Sequence, residues 1–103
     1  MIRILLACGV GMSSGFMAAN MRKYAKKQKI EVKVSAVSKS EIMDHVGEFE
    51  VLLLGPHFAR EVGTYQEQLK DHDVKVMSID PDYYATLNAE GVLDDALALY
   101  NGK

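Results

Sequence analysis

Two short apolar runs, each stopped by glycine, restrict the fold of this chain more than any other feature. Ile2 to Ala7 is apolar apart from Arg3 and ends at Cys8-Gly9; Val51 to Leu54 is wholly apolar and ends at Gly55-Pro56. Runs of this length between turn signals suit strands covered on both faces, the condition of a parallel sheet flanked by helices. The segments between them carry the matching helical period. Met17, Met21, Tyr24 and Ala25 recur at i, i+4, i+7 and i+8, and Phe58, Val62, Tyr65 and Leu69 mark a second buried stripe.

Two weaker strands complete the alternation. From Ile30, apolar residues alternate with Glu31, Lys33 and Ser35, and Val74, Val76 and Ser78 alternate with Lys75, Met77 and Ile79. Alternation marks a half-exposed strand, so these two belong at the edges and the two apolar runs at the centre. Ser38 with Glu41 fits a capping box opening a short helix through Val46. Asp80-Pro81 breaks the fourth strand and leads into a turn or short helix. Asn88 then caps a last helix with Val92, Leu93, Ala96, Leu97 and Tyr100 facing inward. With right-handed crossovers the expected sheet is parallel, four-stranded and ordered 2-1-3-4. Such sheets bind ligands where the order reverses, beyond the strands' C-terminal ends. The segment after Cys8 and the Gly55-Pro56-His57 turn meet there.

Composition narrows the function. The chain has 103 residues, 49% hydrophobic and 25% charged, which fits a single domain spanning 1–103. A formal net charge of −2 gives no general grip on nucleic acid. Arg22, Lys23, Lys26, Lys27 and Lys29 cluster where the first long helix should end and complement its dipole there. One cysteine forms no internal disulfide, and Arg3 interrupts the opening apolar run, unlike a secretory signal. No segment approaches the ~20 apolar residues of a membrane span. The expectation is therefore a cytoplasmic protein without direct membrane insertion, its thiol kept reduced.

The chemistry is expected in Cys8-Gly9-Val10-Gly11-Met12-Ser13-Ser14-Gly15. Three glycines let a strand-to-helix loop curl with its N–H groups inward as an anion nest, and the helix N-terminus adds its positive dipole end. Ser13 and Ser14 can cap the helix or donate hydroxyls to a phosphate. A cysteine beside such a nest has a depressed pKa and becomes a better nucleophile. The plain alternative is a small buried core residue, but the end of a central strand before a glycine-rich loop favours the nucleophile. A dinucleotide fingerprint and a Walker lysine are both missing.

The stretch LLACGVGMSSGFMAANM resembles the active-site loop of the IIB components of the bacterial phosphoenolpyruvate-dependent sugar phosphotransferase system, lactose/cellobiose group, with its Cys-x-x-Gly-Met-Ser-Thr-Ser pattern. The resemblance continues in VLLLGP (residues 51–56), the Tyr84 region and GVLDDALAL (residues 91–99). It implies a flavodoxin-like three-layer α/β sandwich. It also implies that Cys8 accepts phosphate from a phosphohistidine on a IIA partner and passes it to a sugar held by the membrane IIC permease. The sugar would be a β-linked disaccharide or a related one. By the same resemblance, the amides from Gly9 through Gly15 cradle the phosphate and Tyr84 flanks the loop. Ser13-Ser14-Gly15 replaces the usual Ser-Thr-Ser, and Gly9 replaces the commoner serine or asparagine. Cys-Gly openings also occur in IIB proteins for galactitol and ascorbate.

The competing enzyme is a low-molecular-weight tyrosine-phosphatase-like hydrolase, which shares the strand order, a cysteine phosphate loop and an Asp-Pro segment like Asp80-Pro81-Asp82-Tyr83-Tyr84. Its loop requires an arginine six positions after the cysteine to clamp the phosphoryl oxygens. Here that position is Ser14. A third possibility is an anion-binding module in which Cys8 is merely packed. Asp80 and Asp82 read as a turn rather than a leaving-group acid. His57, after Gly55-Pro56, reads either as a solvated ring in an early helical turn or as a contact for the phosphate or a docked partner. His45 and His72 read as surface residues. The histidines and the cysteine show no metal-ligand spacing, so neither metal nor cofactor is expected beyond a transient phosphocysteine.

Overall fold

The computed structural model describes residues 2–8 and 11–102, with the backbone alone for Cys8 and residues 11–14. Strands and helices alternate along it: β1 (Ile2–Cys8), α1 (Gly11–Lys27), β2 (Val32–Ser38), β3 (Val51–Leu54), α2 (Val62–Gln68), β4 (Lys75–Ser78), α3 (Pro81–Ala85) and α4 (Ala89–Tyr100). Turns of 3-10 helix cover Lys39–His45, Pro56–Glu61 and Lys70–His72. The sheet is parallel with the order β2-β1-β3-β4, as the apolar and alternating runs require. Every residue of β3 is buried, and Ile4 to Ala7 of β1 are buried with it.

The period of two along each strand feeds two cores. Ile4, Leu6, Val51 and Leu53 pack with Met17, Met21, Val92, Leu93 and Ala96 of α1 and α4. Leu5, Ala7, Leu52 and Leu54 pack with Ile42, Phe49, Tyr65 and Leu69 on the opposite face. Each fully buried Leu contributes about 1.5–3 kcal/mol. The three layers therefore follow from β1 and β3 being apolar on both faces.

The edge strands are protected by their neighbours. The Arg22 guanidinium donates to the Val34 carbonyl of β2 at 2.7 Å, and the Gln66 amide makes a longer contact, 3.4 Å, with the Val76 carbonyl of β4. Covering outward carbonyls limits edge-to-edge pairing. Of the basic cluster, Lys26 and Lys27 do occupy the last turn of α1, while Arg22 has this separate task.

Several local expectations need correction. Ser38 precedes a 3-10 turn ending at His45, and its hydroxyl caps no backbone N–H; it donates instead to the Glu41 carboxylate at 2.7 Å. The stripe from Phe58 to Leu69 spans a 3-10 turn, a kink at Phe58 and α2, so Phe58 and Val62 are half-buried while Tyr65 and Leu69 are buried. Tyr100 is 40% exposed, because α4 ends there beyond the edge of the sheet it covers. The Asn88 cap is present, accepting from the Gly91 N–H at 3.1 Å. Helix α1 stops without a glycine. Lys29 takes the left-handed conformation (φ 58), and Ile30 N–H bonds to the Ala25 carbonyl at 2.8 Å, a Schellman closure.

Candidate phosphoryl-transfer site

The C-terminal ends of the strands bring together most of the residues singled out in the sequence. Cys8 is the last residue of β1 and pairs in register with Ser38, the last of β2. On the other side Ala7 pairs with Leu54, and the Gly55 N–H donates to the Ala7 carbonyl at 2.9 Å. The Ile79 N–H donates to the Leu54 carbonyl at 2.8 Å, which ties the exit of β4 to the same edge. Cys8 thus ends a central strand between the ends of β2 and β3, at the point where strand order reverses.

Helix α1 opens at Gly11, so most of the expected loop is helix. Gly9 and Val10 lie outside the described residues. An α-helix leaves only the first four N–H groups outside its ladder. Gly11, Met12 and Ser13 fall in that opening turn, whereas Gly15 sits one turn further, where its N–H belongs to the ladder. The first turn has no acidic side chain and the last has Lys26 and Lys27. Nothing in the helix's own charge opposes an anion at its N-terminus.

The rim is aromatic. Pro56 starts a 3-10 turn closed by the Phe58 N–H to the Gly55 carbonyl at 2.9 Å. This turn carries the exposed His57 ring into edge contact with Phe58 (6.2 Å, 76°) and with Tyr84 of α3 (5.8 Å, 84°). Asp80 sets the start of α3: its Oδ1 accepts the Asp82 N–H at 2.8 Å and the Tyr83 N–H at 3.4 Å. The sequence reads Asp80-Pro81 as a turn, and the structure makes Asp80 the N-cap of a short helix that follows it. That cap also engages the carboxylate a phosphatase would use as its leaving-group acid. Gly91 has a part that sequence inspection missed. A Cβ there would stand 2.7 Å from the Tyr83 ring, so glycine lets α3 lie against α4 and hold Tyr84 at the rim.

Lys39 is the other residue not anticipated. Its Nζ lies 2.6 Å from Glu61 Oε2 and 4.6 Å from the Phe58 ring centroid. It fixes Phe58 beside a shallow depression lined also by Ser38, Ser40 and Tyr65. The sequence signal was weak, a lysine just past a strand end. His72 is exposed, and the half-exposed His45 faces Glu48 at 3.6 Å; both lie on connections entering strands, at the far edge of the sheet. Among the described residues no three His, Cys, Asp or Glu side chains converge as a metal site would require, and no helix is long and apolar enough to cross a membrane.

Known proteins match this chain along most of its length. Residues 3–95 fit the family model described as PTS system, lactose/cellobiose-specific IIB subunit. The oligo-beta-mannoside-specific EIIB component of Bacillus subtilis is 26% identical over 99 residues, covering 96% of each chain. The solution structure of a cellobiose-specific phosphotransferase IIB component from Borrelia burgdorferi superimposes with a TM-score of 0.77 at 32% identity, over 99% of this chain and 94% of that one. The lactose-specific IIB domain from Streptococcus pneumoniae shares the fold with a TM-score of 0.86 at 15% identity, over 96% of this chain and 97% of that one. The chain belongs to the lactose/cellobiose-specific IIB subunits of the sugar phosphotransferase system, phosphocarriers that pass phosphate to sugar by way of a cysteine.

Proposed function

We propose that Cys8 is the phosphate acceptor, loaded from a phosphohistidine on a IIA protein and discharged to a sugar presented by a membrane IIC permease. One observation carries the assignment: the only cysteine of the chain ends the central strand β1, three residues before the first residue of α1. In the loading step the thiolate attacks phosphorus in line. The S–P bond forms as the N–P bond breaks, and the imidazole takes back the bonding pair together with the proton released by the thiol. In the second step a sugar hydroxyl attacks. The O–P bond forms as the S–P bond breaks, and the hydroxyl proton returns the thiolate to thiol. Neither step needs a metal from this chain; positioning and charge stabilisation are its contribution.

The N–H groups opening α1 at Gly11, Met12 and Ser13, with Gly9 and Val10 before them and the hydroxyls of Ser13 and Ser14, form the cradle. Gly15 contributes through the helix it continues rather than as a donor. Pro56, His57 and Tyr84 form the rim that meets the partner. The relatives named for oligo-beta-mannoside and cellobiose support a β-linked disaccharide or a related sugar as the acceptor. The setting is the cytoplasmic side of the membrane, and residues 1–103 act as one IIB domain.

The test is peptide mass spectrometry after incubation with phosphoenolpyruvate, the general phosphotransferase proteins and a matching IIA, with acid and heat avoided. A single phosphate should map to Cys8 and move to sugar when IIC membranes are added. The Cys8→Ser variant should fold normally and carry none; normal phosphotransfer by it would refute the assignment.

A further inference from the structure

We propose that His57 donates an imidazole N–H to a phosphoryl oxygen of phosphorylated Cys8, because it lies on the turn that leaves β3 beside the end of β1 and its two edge contacts leave its nitrogens unengaged. The inference rests on Cys8 as the acceptor and adds a side-chain donor to a cradle otherwise made of backbone and hydroxyls.

The backbone route brings the two residues together. Ala7 pairs with Leu54, and the Gly55 N–H bonds to the Ala7 carbonyl at 2.9 Å, so the exit of β3 runs beside the end of β1. Neighbouring strands lie about 4.8 Å apart. The turn from Gly55 to Phe58 closes with a 2.9 Å hydrogen bond, and the ends of such a turn stay within about 7 Å. The backbone of His57 is thereby kept at a separation from Cys8 that its own side chain and a phosphorylated cysteine can together span.

The ring is oriented but chemically unspent. Phe58 and Tyr84 meet it edge-on at 6.2 Å and 5.8 Å, and no hydrogen bond or ion pair engages it among the described residues. The lysine at this edge is committed. Lys39 is bound to Glu61 and seated over Phe58, and residues 8–15 contain no arginine or lysine. A group bearing close to two negative charges arrives where the structure offers His57 as its ready side-chain donor.

Two substitutions separate donation from packing. His57→Gln keeps an N–H donor and loses the ring, whereas His57→Phe keeps the ring contacts and loses the donor. Rates of phosphate acceptance from IIA and of onward transfer should fall about tenfold in His57→Phe and stay within about threefold of wild type in His57→Gln. In the unsubstituted protein, phosphorylation of Cys8 should move the imidazole nitrogen resonances of His57 and leave those of His45 and His72 in place. Wild-type rates in His57→Phe, equal loss in both variants, or an unmoved His57 signal at full phosphate occupancy would each overturn the proposal. If Cys8→Ser still accepts phosphate, the carrier assignment itself fails. If phosphate depends on Cys8 but not on His57, only this inference falls.

Discussion

The two ends of the sheet are built on opposite plans. Where β1 and β3 begin, Arg3 and Glu50 close on each other. The Glu50 carboxylate accepts from the Arg3 backbone N–H at 2.8 Å, from Nε at 2.9 Å and from Nη2, and the Glu50 N–H returns a bond to the Arg3 carbonyl at 2.9 Å. The Lys75 N–H donates to the Glu50 carbonyl, also at 2.9 Å, so β4 starts from the same knot. A cavity of about 110 Å³ between Arg3, Lys33, His45, Glu48 and Phe49 lies beside it. At the other end the strands finish in a cysteine, a helix N-terminus free of acids and a rim of rings of which His57 is exposed. The closed end satisfies its own polar groups and contributes stability. The open end leaves the N–H groups that begin α1 outside the helix ladder, as the proposed phosphate site requires.

Breaking the closed end should cost stability and spare transfer. Glu50→Ala removes three hydrogen bonds to a charged, partly exposed group and should destabilise the fold by about 1–2 kcal/mol in denaturant unfolding. Phosphotransfer should stay at the wild-type rate. The Arg3 hydrogen bonds hold the Glu50 carboxyl below its usual range. Its stabilisation is therefore present above the unfolded carboxylate's pKa and is lost as pH falls through the lower folded value. The variant and the wild type should converge only below that lower folded value.

Altering the open end should do the reverse. Nothing lies within 4 Å of a Cβ added at Gly15, so Gly15→Asp is accommodated. Replacing a helical glycine and placing an acid near the N-terminus should stabilise by about 0.5–1 kcal/mol. The same carboxylate about two turns or less from the phosphate should slow acceptance from IIA about fivefold at low salt. Equal or faster transfer would break the comparison, because the open end would then not be tuned for anions.

The smallest effect lies between the ends. Burial, then the nearby charges of Asp80 and Asp94, raise the Asp95 carboxyl above its usual range. A raised acid makes its contribution below the unfolded pKa and loses it as pH rises through the folded value. Asp95→Asn should therefore stabilise by less than about 1 kcal/mol at neutral pH, and the difference should vanish below about pH 4. Thermal unfolding at the two pH values checks this, with transfer unchanged.

The sheet and its order were legible in the chain because strand burial leaves a plain mark: β1 and β3 are apolar on both faces, and β2 and β4 alternate. The position of Cys8, proposed above as the phosphate acceptor, was legible for the same local reason: it ends a buried strand before a glycine-rich segment. The Asn88 cap and the break at Asp80-Pro81 were readable too, since each needs only its own few residues. Other features depend on distant partners. Whether a glycine-rich stretch is loop or helix was settled by α1 packing its Met17 and Met21 on the sheet, which carries helix back to Gly11. Lys29 ends that helix in a conformation usually given to glycine, so no punctuation marks the stop. The contacts of His57 with Tyr84 and of Lys39 with Glu61 join segments far apart in sequence, and that of Gly91 with Tyr83 depends on how α3 folds back on α4. Burial pattern and turn chemistry are written residue by residue, and determined the layers and the place of Cys8 at the end of β1; the rim beside it exists only once the strands have set their register, because only then do these side chains share an edge.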